Sequence, residues 1–73
     1  MNDRIQIDPH IQHGKPVILG TRVPVARIVS GLAGGMSFQE VVDAYGVTVE
    51  DIRAALEFAS QLIEQEEHHI LPA

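Results

Sequence analysis

The chain contains no cysteine and no tryptophan, and only one tyrosine and two phenylalanines among its 73 residues. Without cysteine there are no disulfide staples and no thiolate metal sites, while the redox compartment stays open. Cations are also scarce: 5 Lys and Arg stand against 10 Asp and Glu, a formal net charge of −5. Phosphate neutralisation by Lys and Arg supplies much of nucleic-acid affinity, so this balance counts against a lone monomer gripping DNA. No apolar run approaches the ~20 residues that cross a bilayer, and Met1 to Ile7 lacks the basic-then-apolar layout of a signal peptide. The default expectation is a cytoplasmic protein without membrane contact. A chain this short buries only about 60% of the surface that its unfolded form exposes, and a homodimer or a permanent partner would relieve that shortfall.

What is present is a dense set of agreeing helix signals between Ser37 and Ala59. Ser37 followed by Glu40 is a capping box, with Met36 and Val41 placed as a hydrophobic staple. Thr48 and Asp51 repeat the layout, with Val47 and Ile52 as the second staple pair. Gly46 between them can take the left-handed conformation that ends a helix. Two helices joined by a tight turn follow, as in a helix-turn-helix. Upstream, Pro24 suits the first turn of a helix, and Val25, Ile28, Val29 and Leu32 form one apolar stripe up to Gly34-Gly35. The second helix shows Phe38, Val41, Val42 and Tyr45 on one face. The third is expected to bury Val49, Ile52, Leu56, Ala59 and Ile63 over roughly four turns.

Before Pro24 the pattern is strand-like. Ile5 and Ile7 alternate with polar neighbours, predicting a strand near Arg4 to Ile7, broken by Asp8-Pro9. His13-Gly14-Lys15-Pro16 reads as a turn, Val17-Ile18-Leu19 as a second strand, and Thr21-Arg22-Val23 as a possible third. Such short pieces must pack on helices or pair with another chain. The expected fold is mainly α: a short N-terminal β segment plus a three-helix, homeodomain-like or helix-turn-helix core. One domain is expected, with residues 1–23 as the β segment, 24–67 as the helical core and 68–73 as a tail.

Several constellations bear on function. In a DNA-reading corner the second helix enters the major groove with its first residues; here these are Thr48 to Arg53, in which Arg53 is the only cation and Glu50 and Asp51 carry the wrong sign. A structural corner is the competing reading. Lys15, Arg22 and Arg27 form a basic cluster around Pro24, where an anion could meet the start of a helix, or where the charges simply pair with the many carboxylates. Lys15, Arg22, Arg27, Thr48 and Arg53 are therefore the candidate nucleic-acid or anion contacts. Leu62 and Ile63 outrun what two short helices can cover, and with Ile70 and Leu71 in the tail they form the candidate dimer or partner interface. The acidic end of the chain, Glu57, Glu64, Glu66 and Glu67, suits a cationic or mixed protein surface.

Asp8, His10 and His13, and likewise Glu64, His68 and His69, have metal-like spacing without the closed geometry a ligand set needs. Gly14-Lys15 and Gly20-Thr21 lack the order of a phosphate-binding loop. No residue sits in the context of an activated nucleophile. The expectation is a non-enzymatic protein without metal or cofactor.

The segment from Gly14 to Val25, G-K-P-V-I-L-G-T-R-V-P-V, together with Gly35 to Tyr45 and Asp51 to Leu56, closely resembles the domain-of-unknown-function 433 family. The resemblance covers about Ile5 to Ala59. It implies a small bacterial or archaeal protein with a β segment and a homeodomain-like core. Members look like antitoxins of type II toxin–antitoxin pairs, encoded beside a PIN-like ribonuclease toxin, and no catalytic residue is carried over. The chain departs from one habit of such antitoxins, a basic residue presented to the acidic nuclease site: no Lys or Arg follows Arg53. Blocking by shape or by the Arg22 region is then expected in place of a C-terminal arginine plug. The resulting functional expectation is an antitoxin-like module that dimerises and neutralises a PIN-like toxin, with operator binding as an added role. The alternatives are a stand-alone helix-turn-helix regulator and a structural dimerisation domain.

Overall fold

The computed structural model describes residues 2–65. Its elements run β1 (Ile5–Gln6), β2 (Val17–Ile18), α1 (Val25–Ala33), α2 (Phe38–Tyr45) and α3 (Val49–Gln65). The strands pair antiparallel, with Ile5 opposite Ile18 and Gln6 opposite Val17. Two-residue strands cannot hold themselves together in water, and here the helices hold them: Ile5 and Ile18 join a core cluster with Val25 and Ile28 of α1, Val41 of α2, and Ile52, Ala55 and Phe58 of α3.

The expected strands are real but shorter than the alternation suggested. Thr21 to Val23 is not a strand. Its segment returns alongside β2 through a turn in which the Thr21 N–H donates to the Ile18 carbonyl at 3.0 Å. The third position of that turn, Gly20, has φ +79°, the value a type II turn requires there and L residues resist. The Thr21 hydroxyl also donates to the Ile18 carbonyl, at 2.8 Å, and accepts the Val23 N–H at 3.0 Å. Its polar atoms thus close the turn and do not extend a ladder.

The helix boundaries follow their capping chemistry. Ser37 and Glu40 form the reciprocal capping box at the start of α2, and the Gly46 N–H bonds the Val42 carbonyl at its end. Before α3 the Thr48 N–H donates to Asp51 Oδ2 at 3.0 Å while the Asp51 N–H donates to Thr48 Oγ1 at 3.1 Å. Pro24 stands immediately before α1 as its N-cap.

The buried face of α3 differs from the expected one. Ile52 and Ala55 are fully enclosed and Phe58 nearly so, whereas Val49, Leu56 and Ile63 are 36%, 37% and 60% exposed. The buried stripe takes in Ala54 and Ala55, and the bulkier aliphatics are left outside. Phe38, expected on the apolar face of α2, is likewise 39% exposed, and the fully buried residue of that helix is Val41.

Gly46 links the two helices at φ +68° with open space where a Cβ would stand. Gly46→Ala therefore tests conformation without a clash. It should lower unfolding stability by about 1 kcal/mol, with Gly46→Asn losing less, measured by urea denaturation.

Candidate functional site

Two separate surfaces carry the candidate residues. The first lies around the start of α1. The chain enters it through a turn at Gln12, His13 and Gly14 with φ values of +50°, +57° and +81°. The Gln12 amide donates to the Arg22 carbonyl at 3.2 Å, and the Val25 N–H donates to the Pro16 carbonyl at 2.9 Å. These bonds tie Lys15-Pro16 to Arg22–Val25. Lys15, Arg22 and Arg27 are all exposed there. Among the described residues none of the three makes an ion pair.

The second surface is the start of α3, where Thr48 and Arg53 lie exposed. The Thr48 hydroxyl is occupied by the cap. Phe58, which borders the first surface, is seven residues beyond Asp51, or ~10 Å along the helix at 1.5 Å per residue. The five candidate contacts consequently form two groups and not one basic face.

Sequence reasoning missed the residues that tie the N-terminus to α3. Arg4 forms an ion pair with Asp51 at 3.0 Å, and the Asn2 amide donates to the Ala54 carbonyl at 2.8 Å. Asp51 thereby accepts from its own cap and from a guanidinium. Partial burial opposes its ionisation, but the Thr48 N–H, Arg4 and the Thr48 hydroxyl outweigh that, and its pKa lies below the usual carboxylate value. At the start of α2, the hydrogen bonds from Ser37 lower the pKa of Glu40 in the same way. No local pattern marks Arg4 or Asn2, since their partners are about fifty residues away.

The second half of α3 carries the candidate interface. Leu62 is 45% exposed and, together with the buried Phe58, lines two hollows. On one side a groove of about 300 Å³ is walled by Pro16, Pro24, Ala26, Val29 and Ala59, with Lys15 as its one charged lining residue. On the other, an open hollow of about 590 Å³ is bounded by Ile7, Gln61, Glu64 and Gln65. Ile63 lies exposed on the same helix, while Ile70 and Leu71 lie outside the described residues. Among the described residues no group of three or more His, Asp or Glu could hold a metal ion. No described helix is long and apolar enough to cross a membrane. The metal-like set Asp8, His10 and His13 is thus not assembled as a site, and His68 and His69 lie outside the described residues.

The chain is thus a mainly helical domain: a three-helix core with a short antiparallel β lead and reciprocal caps at the starts of α2 and α3. The chain belongs to the family described as a protein of unknown function, DUF433, whose model matches residues 5–59. It is 42% identical over 53 residues to the Mycobacterium tuberculosis protein named "Putative antitoxin VapB45", a match covering 73% of this chain and 22% of that protein. A crystal structure of a DUF433 member from Anabaena variabilis superposes with TM-score 0.77 at 36% identity, over 85% of this chain and 62% of that one. Rv2018 from Mycobacterium tuberculosis gives TM-score 0.66 at 42% identity, over 71% of this chain and 24% of that one. The chain thus spans under a quarter of the length of the mycobacterial proteins and less than two thirds of the Anabaena chain.

The lowered carboxyl pKa values have a definite sign in stability. Between the folded and the ordinary pKa the unfolded state binds more protons, so the stabilisation is complete above the ordinary carboxylate range and is lost as pH falls through the folded values. Asp51→Asn should cost about 1 kcal/mol at neutral pH through the weakened cap and lost ion pair. Its deficit relative to the parent chain should shrink in acid, measured by denaturant titration from neutral pH to about pH 3.

Proposed function

We propose that the chain is a non-enzymatic, antitoxin-like module of a prokaryotic type II toxin–antitoxin pair, acting in the cytoplasm as a homodimer and neutralising a PIN-like ribonuclease. The observation that carries the reading is the 42% identity over 53 residues to a protein named as an antitoxin. The geometry supports it in chemical terms. A metal-dependent ribonuclease holds carboxylates in its active site, and Arg22 and Arg27 stand exposed at the edge of a structured loop. A guanidinium there can pair with a carboxylate in bidentate fashion. The bonds that fix the Arg22 backbone reduce the ordering cost of such a contact.

One observation favours operator binding as an additional role. The ion pair with Arg4 offsets the charge of Asp51, which leaves Glu50 as the uncompensated anion in the first turn of α3 beside Arg53. DNA bound through this corner would show strong salt dependence and weaken on Arg53→Ala.

The test is co-expression with the product of a neighbouring PIN-like reading frame. The chain should relieve growth arrest and co-purify with the nuclease. Arg22→Glu with Arg27→Glu should weaken the complex at least tenfold, read by calorimetry, with the helical circular dichroism unchanged. Unrelieved arrest and no complex would sink the reading.

A further inference from the structure

The second half of α3 carries the exposed Leu62 between two hollows. We propose that two chains associate through the ridge made by Leu62 and the groove beside it, with the two α3 helices side by side and parallel about a two-fold axis running along them. The inference deepens the homodimer of the proposed function and does not depend on any toxin.

The argument starts from the shape. Leu62 is 45% exposed at the crest between two hollows. Pro16, Pro24, Ala26, Val29 and Ala59 wall the first hollow with apolar atoms. A ridge flanked by depressions can meet its own copy, the self-complementarity that an isologous contact requires.

Charge then chooses the occupant and the axis. The groove side of the ridge carries Lys15, and the far side carries Glu64. A two-fold axis along α3 sets the groove side of one copy against the far side of the other. Lys15 of each chain then faces Glu64 of its partner, so both rims carry opposite charges. An antiparallel arrangement, with its axis across the helix, would set like side against like side. The same parallel arrangement puts Leu62 against its own counterpart at the axis.

The association can be read by sedimentation equilibrium of the full chain. Ala26 is exposed on α1, and arginine is a good helix former, so Ala26→Arg should preserve the fold, checked by circular dichroism, while obstructing the groove. It should raise the dimer dissociation constant at least tenfold, as should Leu62→Glu. Phe38→Ser, an exposed apolar position on α2, should leave it unchanged. Lys15→Glu should weaken the dimer several-fold at low salt, and adding Glu64→Lys should restore it. Because the chain has no cysteine of its own, Leu62→Cys should oxidise to a covalent dimer, while Ala26→Cys should not. A dimer indifferent to Ala26→Arg and Leu62→Glu would overturn the surface and leave dimerisation standing. A chain monomeric throughout the micromolar range would overturn both, even if it still bound a toxin through this groove.

Discussion

Burial of the paired residues Ile5 and Ile18 among the three helices is the interaction on which the rest of the structure depends. They face one another across strands of two residues each, too short to persist alone. Enclosing an isoleucine side chain is worth ~1.5–3 kcal/mol, and both are nearly inaccessible. The helices thus stabilise the β segment. The β segment in turn supplies the scaffold for Lys15 to Arg22, because β2 and the turn after it set where those residues stand. The placement of this exposed edge is in this sense a product of the core.

Electrostatics plays a local part. Asp51 illustrates it: a carboxylate that would oppose a phosphate is engaged by its own helix cap and by Arg4. The acidic balance of the chain therefore includes charges engaged in holding helix ends, while Arg22 and Arg27 stand exposed. The same contact, with the Asn2 bond to α3, joins the first residues of the chain to the helix that starts at Val49.

The helical plan was readable in the sequence because capping is local chemistry. Ser37 with Glu40, Thr48 with Asp51, and Gly46 between them specify three helix ends within fifteen residues, and each bond is present in the structure. The family was readable from Gly14 to Val25 for a related reason: a run of turn-forming glycines and prolines around one apolar strand is uncommon. The face of α3 was harder, because Ile52, Ala55 and Phe58 compete with Val49, Ile52, Leu56 and Ile63 at equally good helical spacings. The stripe that goes inside includes Ala54 and Ala55, and alanine has little hydrophobic weight in a sequence pattern. Arg4 and Asn2 were not legible at all, since their partners are distant along the chain. The grouping of the basic residues into two surfaces was equally out of reach before α1 and α3 were placed.

Native-state hydrogen exchange tests most directly whether the β segment and the helices form one cooperative unit. The Leu19 amide donates to the Arg4 carbonyl and the Ile18 amide to the Val23 carbonyl, so both report on the β segment, while the Ile52 amide reports on α3. If the helices hold the strands as described, the Ile18 and Leu19 amides should exchange with the same opening free energy as Ile52, and all three should fall together on adding denaturant. Exchange of Ile18 and Leu19 through a low-energy local opening, with Ile52 still fully protected, would contradict the account.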